Sequence, residues 1–174
     1  MTPDPGNAVG REGESPGAAV IAPVATAEYI DRVRLLFREY ARATGACECF
    51  QGFEREVAGL PGEYGPPGGR LLLAQSGPSP AGCVALRRLR EGVAEMKRLY
   101  VRPEFRGRKL GRRLAEAILD EAARMGYRAV RLDTLPSMKA ARQLYETLGF
   151  RVIPRYNDTP GEGVIHMERV WKGE

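Results

Sequence analysis

Hydrophobic positions recur along the chain with two different periods, and each period predicts one kind of element. Spacings of three and four residues predict four helices, over about 26–45, 47–58, 110–126 and 136–149. Short or alternating apolar runs bounded by glycine and proline predict seven strands, at 18–24, 70–75, 83–89, 93–102, 128–133, 150–153 and 164–170. The order β-α-α-β-β-β-α-β-α-β-β predicts a single-domain α/β fold. In it, about four helices flank a mixed, mostly antiparallel sheet of about seven strands.

Glycine and proline mark the predicted ends of the later helices. Gly126 ends the third helix in the left-handed conformation that glycine favours, and Gly149 closes the fourth. Pro136 fits the first turn of the fourth helix, where its missing N–H group costs nothing. At the other end of the chain, Thr26 can cap the first helix with its side-chain oxygen.

Two stretches lack the pattern of a regular element. Residues 1–17 contain prolines, glycines and charges with little apolar content, so they predict a disordered tail ahead of one domain over 18–174. Residues 59–69 hold too many prolines and glycines for a helix or a strand, and they predict a loop that carries Glu63 and Tyr64. For this loop a spacer role and a substrate-facing role both stay open.

Composition narrows the class of protein. No apolar run approaches the roughly 18–20 residues of a membrane span, and the first residues lack the basic start and apolar core of a signal peptide. We therefore expect a cytoplasmic protein without a membrane partner. Three cysteines, Cys47, Cys49 and Cys83, are an odd number and predict no disulfide framework. With a single histidine, His166, four zinc ligands are hard to assemble, so no metal is expected.

The net charge of +5 is concentrated in one segment. Residues 87–113 contain eleven basic and three acidic residues, so this segment alone carries +8. A positive patch on a mildly acidic body predicts an anionic ligand, which can be a nucleotide-sized cofactor or a nucleic acid. The aromatic residues are not interleaved with the arginines as a stacking platform requires, so a nucleic-acid-binding module is the second hypothesis.

The same segment predicts a phosphate site from its local structure. A strand with Leu99, Tyr100 and Val101 ends at Pro103, which has no amide hydrogen for the ladder. A basic turn then leads into the third helix: Arg106, Gly107, Arg108, Lys109, Leu110 and Gly111. Free N–H groups at the helix N-terminus, the helix dipole and the guanidinium groups together suit a phosphate or pyrophosphate. A solvated surface turn is the alternative.

Two motifs and the order of the elements together indicate a family. The first motif is the turn Arg106-Gly-Arg-Lys-Leu-Gly111. The second is Ala141-Arg-Gln-Leu-Tyr-Glu-Thr-Leu-Gly-Phe150, about 35 residues further on, with a helix and a strand between them. They resemble the acyl-CoA motif and the late helix of the GNAT superfamily of acetyl-CoA-dependent N-acyltransferases. The resemblance covers about residues 18–171.

Two positions depart from the family pattern. Lys109 stands where the turn's middle glycine is expected, and we expect it to be tolerated if its φ stays negative. Met138 holds the place, seven residues before Tyr145, where the family often has an asparagine.

The resemblance implies acetyl-CoA as a co-substrate and assigns residues to its parts. The backbone of Leu99, Tyr100 and Val101 would pair with pantetheine as an added strand. A backbone amide near Leu99 and Tyr100 would stabilise the oxyanion. The pyrophosphate would be held by Arg106, Gly107, Arg108, Lys109, Leu110, Gly111 and Arg112. Candidates for the remaining phosphate are Arg102, Arg108 and Arg113, and the sequence does not rank them.

Two side chains are candidates for proton transfer. Glu95 is the predicted general base, directly or through water, because it lies on the central strand at the position that the resemblance favours. Its alternative is a carboxylate paired with Lys97 or Arg98. Tyr145 is the predicted general acid for the departing thiolate, and its alternative, core packing, is compatible with that role. His166 is expected to be structural or to line the acceptor site.

The predicted function is therefore an N-acetyltransferase that moves an acetyl group from acetyl-CoA to a primary amine by direct transfer through a tetrahedral intermediate. Cys83 is weak support for a covalent route, because no Cys-His-Asp set accompanies it. Besides the nucleic-acid module, a non-catalytic acyl-CoA-binding homologue stays open. The acceptor can be a small molecule or a peptide amine, a nucleic-acid partner is not favoured, and a homodimer is left open.

Overall fold

The computed structural model describes residues 18–45 and 52–171, which form one α/β domain. The strands are β1 Val20–Pro23, β2 Arg70–Ser76, β3 Ser79–Arg90, β4 Val93–Val101, β5 Ala129–Thr134, β6 Arg151–Ile153 and β7 Ile165–Val170. The helices are α1 Ala27–Thr44, α2 Phe53–Ala58, α3 Leu110–Arg124 and α4 Lys139–Thr147. The predicted fold class, with seven strands and four helices, is confirmed. The predicted tail at 1–17 and the first part of the predicted second helix lie outside the described residues.

The seven strands form one sheet in the order β1-β2-β3-β4-β5-β7-β6. The pair β4–β5 is parallel, and the other five neighbouring pairs are antiparallel. Alternation along β2 and β3 gives each face of the sheet its own apolar residues. Leu72 and Val84 join α3 and α4 in one core, while Leu71 and Leu73 join α1 and α2 in the other. The fold is therefore a sheet between two helical layers.

The parallel pair at the centre of the sheet is short. β4 pairs with β5 over Val93–Glu95, where the partners are Ala129–Arg131. Beyond Glu95 the two strands separate, and within the described part of the chain the edge of β4 that faces β5 has no strand partner as far as Val101. Unpaired backbone N–H and C=O groups at an edge are a template for another extended chain. This separation positions the candidate site.

Glycine ends two helices as predicted, but the fourth helix begins later than expected. Gly126 and Gly149 have φ of 82° and 87°, in the left-handed region that lacks a penalty for glycine. The prediction that Pro136 lies in the first turn of α4 is wrong, because α4 begins at Lys139. Pro136 instead follows Leu135 in a turn closed by a 2.9 Å hydrogen bond from Met138 N to the Leu135 carbonyl oxygen.

The loop 59–69 packs against the sheet for part of its length. It contains a short 3-10 turn at Gly62–Tyr64, and Tyr64 is 2% exposed. The Tyr64 hydroxyl donates to Glu56 Oε1 at 2.8 Å, and its ring meets Phe37 edge-on with centroids 6.0 Å apart. This part of the loop belongs to the core with α1 and α2. Among the described residues, no helix is both long and apolar enough to cross a membrane.

Candidate active site

The separation of β4 and β5 opens a cleft of about 650 Å³. It extends from the turn after β4 to α1 and the start of α4, and its lining residues include Tyr40, Leu99, Tyr100, Val101, Arg106 and Met138. Four of the residues predicted to bind the cofactor, Leu99, Tyr100, Val101 and Arg106, therefore line one cleft. Met138, where the family often has asparagine, presents a thioether to the same cleft.

The direction of β4 along this cleft is set by a bulge at Arg98. Its φ of 59° is left-handed, and the register with β3 shifts between Cys83 and Ala85 opposite it. For a residue with a Cβ this conformation costs about 1–2 kcal/mol. The buried Arg98 guanidinium donates two hydrogen bonds to Glu56, from Nε to Oε1 at 3.0 Å and from a second nitrogen to Oε2 at 2.8 Å. A two-point charge-assisted bond of this kind holds the bulge, and with it the strand edge at Leu99.

The turn before α3 leaves the first amides of the helix open. Lys109 is the N-terminal capping residue, and it supplies no side-chain hydrogen bond, while the first turn of α3 contains no acidic residue. The condition set for Lys109, a negative φ, is not met: its φ is 57°, so the chain adopts the left-handed conformation here without glycine. A Cβ built at Gly111 would meet Val101 Cγ2 at 3.8 Å, an ordinary contact, so the helix start is open.

The arginines of the predicted phosphate site differ in what they contact. Arg102 binds Glu39 through two nitrogens at 2.9 and 2.7 Å, and Arg113 donates to the Ala19 carbonyl oxygen at 2.8 Å. Arg112 binds Glu116 and Thr147, at 3.0 and 2.6 Å. Arg108 and Lys109 are exposed and form no side-chain hydrogen bond or ion pair with the described residues. These two cations are therefore available to a phosphate, and so is exposed Arg106, whose Nε donates to the Val101 carbonyl oxygen at 3.1 Å.

Tyr145 is fixed by the end of α4. The Phe150 N–H donates to the Tyr145 carbonyl oxygen at 3.0 Å and the Gly149 N–H to that of Glu146 at 3.1 Å, the paired bonds of a Schellman ending. The Phe150 ring packs on the Tyr145 ring with centroids 5.8 Å apart. The motif Leu-Tyr-Glu-Thr-Leu-Gly-Phe thus encodes a helix ending that places this ring.

The Tyr145 side chain lines a small cavity of about 40 Å³ between β4 and β5. Leu99, Asp133 and Tyr40 line the same cavity. Burial, followed by the nearby Tyr40 and Asp133, raises the pKa of Tyr145, so its hydroxyl keeps its proton at neutral pH. Among the described residues no group hydrogen-bonds this hydroxyl, which leaves it available as a donor.

Glu95 lies deeper than its predicted role suggests. Its side chain is 0% exposed, and it does not line the cleft or the small cavity. Its Oε2 accepts from Arg87 Nε at 2.7 Å, and its Oε1 accepts from the Tyr156 hydroxyl at 2.8 Å and from Asn157 Nδ2 at 3.1 Å. Lys97 Nζ stands 3.8 Å from the same Oε1. The structure therefore places Glu95 in a buried polar network beside the site.

The carboxylate that lines the cavity is Asp133, which the sequence analysis missed. Its Oδ2 accepts from Asn157 Nδ2 and Thr159 Oγ1, both at 2.7 Å, and from Lys97 Nζ at 3.3 Å. Burial by itself would raise the pKa of this carboxyl, but the Lys97 ammonium and these hydrogen bonds outweigh it and hold the pKa below its usual value. Asn157 donates to both carboxylates and so joins Asp133 to Glu95.

A third cavity, of about 130 Å³, lies beside Asp133 and is mostly apolar. We call it the apolar pocket, and its lining residues include Tyr40, Asp133, Thr134, Leu135, Pro160 and Val164. Asp133 and Thr134 also line the small cavity, and Leu135 also lines the cleft. The three cavities therefore adjoin one another, with Asp133, Leu99 and Tyr145 around the middle one.

Two other candidates from the sequence lie away from this cavity. Cys83 is fully buried on β3, and burial raises the pKa of its thiol, so it is not an ionised nucleophile. His166 is 5% exposed and meets the Tyr156 ring edge-on at 5.1 Å. Within residues 18–45 and 52–171, no group of three His, Cys, Asp or Glu side chains is arranged to hold a metal ion.

Nearby carboxylates form ion pairs with part of the basic segment 87–113. Arg87 pairs with Glu63 and Glu95, Lys97 with Asp133, Arg98 with Glu56, Arg102 with Glu39 and Arg112 with Glu116. Five of the eleven basic residues are therefore neutralised locally. A nucleic-acid interface depends on unpaired cations along a strip, so this pairing disfavours the second hypothesis.

The geometry places an uncapped helix N-terminus near one end of a cleft, and a tyrosine and a carboxylate in the small cavity near the other end. The model of the Acetyltransferase (GNAT) family matches residues 33–150 of this chain. An uncharacterized N-acetyltransferase of Schizosaccharomyces pombe is 37% identical over 154 residues, which cover 87% of this chain and 94% of that protein. The chain thus belongs to the GNAT acetyltransferase family and is an acyltransferase.

Two further comparisons add detail. The mouse N-acetylaspartate synthetase is 37% identical over 87 residues, which cover 49% of this chain and 29% of that protein. The solved structure of the PaiA N-acetyltransferase of Thermoplasma acidophilum, in complex with coenzyme A, superposes with a TM-score of 0.68 at 19% identity, covering 87% of this chain and 99% of that one. At that identity the superposition shows the shared fold.

Proposed function

We propose that this protein transfers the acetyl group of acetyl-CoA to a primary amine by direct attack, without a covalent enzyme intermediate. The observation that carries the proposal is the separation of β4 from β5, which brings an uncapped helix start, a free strand edge and a small cavity lined by Tyr145 and Asp133 close to one another. Cys83 is buried with a raised pKa, and this supports direct transfer.

The residues present fit acetyl-CoA, whose thioester supplies an acyl group activated for attack. Its pyrophosphate would lie against the open amides of α3 at Leu110, Gly111 and Arg112, with Arg106, Gly107, Arg108 and Lys109 around it. Its pantetheine amides would pair with the free edge of β4 at Leu99–Val101. Of the three arginines considered for the remaining phosphate, Arg108 is the one without a protein partner among the described residues.

Asp133 would receive the amine. An alkylamine with a pKa near 10.4 arrives as an ammonium, and it must lose a proton before it can attack. Asp133 is the carboxylate among the described residues that line the small cavity, and its lowered pKa keeps it charged at neutral pH. We infer that Asp133 holds the ammonium, accepts one of its protons and releases that proton to water, which leaves a neutral amine to attack the thioester carbonyl carbon. The Tyr145 hydroxyl, held protonated by burial, would donate to the departing thiolate.

Glu95 as the general base stays a prediction from the sequence. Its carboxylate would need a path from the cavity through Tyr156 or Asn157, both of which contact it. Because hydrogen bonds at such sites often rearrange when the substrate binds, geometry without substrate does not remove it. Exchange of either acid for its amide separates the two assignments.

The experiment that tests the proposed function is a turnover screen of acetyl-CoA against a panel of primary amines, read by mass spectrometry of the acetylated amine and by thiol release. We expect one acetylated amine for each CoA released. Tight acetyl-CoA binding with no turnover on any amine would support the non-catalytic homologue instead, and thiol release without an acetylated amine would show hydrolysis and contradict transfer to an amine.

A further inference from the structure

The apolar pocket beside Asp133 assigns a chemical class to the acceptor. We propose that the preferred acceptor is a primary amine that carries one compact, uncharged apolar group. This inference rests on the proposed function, because it treats the apolar pocket as the acceptor side of the same site.

The charged group of the pocket is the Asp133 carboxylate, which lies where an amine would be held. Thr134, the next residue of β5, also belongs to the lining, but successive residues of a strand project to opposite faces of the sheet, so its hydroxyl is not placed beside this carboxylate. An ammonium has three N–H donors and no acceptor, so it matches a carboxylate at one end of a pocket.

The rest of the described lining is mostly hydrocarbon and includes no basic side chain. It comes from Tyr40, Leu135, Met138, Pro160 and Val164, together with Thr44 and Thr159. The Thr159 hydroxyl is already engaged, since it donates to Asp133 at 2.7 Å. A carboxylate or a second ammonium on the acceptor would lose its hydrating water in this pocket. It would find no further side chain of opposite charge on this wall. The lining therefore selects an uncharged substituent.

The size of the pocket limits that substituent. Its volume of about 130 Å³ is close to the roughly 150 Å³ of a dry protein cavity that holds benzene. The wall near Gly161 is closely packed: a Cβ built there would stand 3.1 Å from Val164 Cγ2 and 3.4 Å from Leu135 Cδ2. Gly161 also has a φ of 136°, which a residue with a Cβ rarely adopts. A branched alkyl chain or one aromatic ring fits this space.

The test compares kcat/KM for ethylamine, 3-methylbutylamine, phenethylamine, aspartate and spermidine at saturating acetyl-CoA. Each buried methylene is worth roughly fourfold, so 3-methylbutylamine should exceed ethylamine by on the order of 50-fold. Aspartate and spermidine should be poorer than either apolar amine. If one of these charged acceptors equals or exceeds the apolar amines, the acceptor class is overturned while the proposed function stands.

A substitution that fills the apolar pocket tests the same proposal from the side of the protein. Val164→Phe should lower the ratio of kcat/KM for 3-methylbutylamine to kcat/KM for ethylamine at least tenfold, because the larger side chain occupies the space of the alkyl group. Val152→Phe is the control, because Val152 is 67% exposed and does not line the pocket. Equal effects of Val164→Phe on the two amines would overturn the proposal.

Calorimetry with CoA present separates the two claims. If 3-methylbutylamine binds, Val164→Phe weakens it and aspartate does not bind, the acceptor class holds even where no amine is acetylated, and the proposed function fails. If no apolar amine is bound or acetylated, the acceptor class is overturned.

Discussion

The two halves of the site are built from different materials. Toward α3, the site consists of backbone: the free edge of β4 and the open amides after the left-handed Lys109. Toward the loop between β6 and β7, it consists of side chains from distant parts of the chain, with Asn157 bonded to Asp133 and Glu95. Backbone contacts suit a ligand with fixed parts such as acetyl-CoA. Side chains on a loop can vary with the acceptor while the fold is kept.

If the two halves act separately, exchange of Asp133 should cause the largest loss of kcat and should not change acetyl-CoA binding. Asp133→Asn should lower kcat by roughly 10²–10⁴, the usual contribution of a positioned acid or base. Acetyl-CoA should raise the melting temperature of this variant as much as that of the wild type. Steady-state kinetics and a thermal melt with and without acetyl-CoA measure both.

The matched variant is Glu95→Gln, which tests the base predicted from the sequence. Glu95 accepts three hydrogen bonds in a buried setting, so its exchange should lower the melting temperature clearly. We expect a smaller loss of kcat than in Asp133→Asn. A larger loss, reduced at high pH where more amine is neutral, would assign the base to Glu95 and contradict the role of Asp133.

Tyr145→Phe should have the next largest effect. The exchange removes one hydroxyl and keeps the ring contact with Phe150, so the fold and the acetyl-CoA affinity should stay close to those of the wild type. A thiolate leaves acceptably without a donor, since a thiol pKa is near 8.5, so kcat should fall by about 10² or less. Unchanged kcat across pH 6–9 would limit Tyr145 to a packing role.

Low pH should reduce the stability of the fold mainly through the buried carboxylates Asp133 and Glu56, and less through the cofactor half of the site. The folded-state pKa of Asp133 is lowered, and so is that of Glu56, where the Arg98 guanidinium outweighs burial. A lowered pKa gives stability that is present above the unfolded value, near 4, and is lost as pH falls through the folded value. The melting temperature should therefore fall steeply below about pH 4. Asp133→Asn should show a shallower fall, and an identical profile would contradict the shifted pKa.

The smallest effect should come from replacing Lys109, whose φ is positive, with glycine. Lys109→Gly should raise the free energy of unfolding by roughly 0.5–1 kcal/mol, because the cost of a Cβ at positive φ exceeds the entropy cost of glycine. Arg108→Gly removes the same charge at a residue without positive φ, so it should destabilise. Chemical denaturation of both variants gives the comparison. Equal destabilisation would mean that the turn carries no strain.

The same contrast explains what the sequence could predict. The turn at Arg106–Gly111 and the helix ending at Tyr145 depend on neighbours within a few residues, so both can be predicted from local sequence patterns. Asp133, Asn157 and Glu95 meet only after β4, β5 and the β6–β7 loop assemble, and no local spacing indicates this contact. Asp133 has one local signal, an acid at the end of a buried strand. Lys109 has a positive φ although it is not glycine, so the condition stated for it from the sequence, a negative φ, is not met.

The most direct test of the two-part site is a calorimetric titration of acetyl-CoA into the wild type, Gly111→Trp and Asp133→Asn. We expect one-to-one binding with equal affinity in the wild type and in Asp133→Asn, and no binding in Gly111→Trp, whose side chain would stand over the open amides. Asp120→Trp, an exposed position further along the same helix, is the control and should bind normally. Wild-type affinity in Gly111→Trp, or loss of binding in Asp133→Asn, would contradict the division of the site between backbone and side chains.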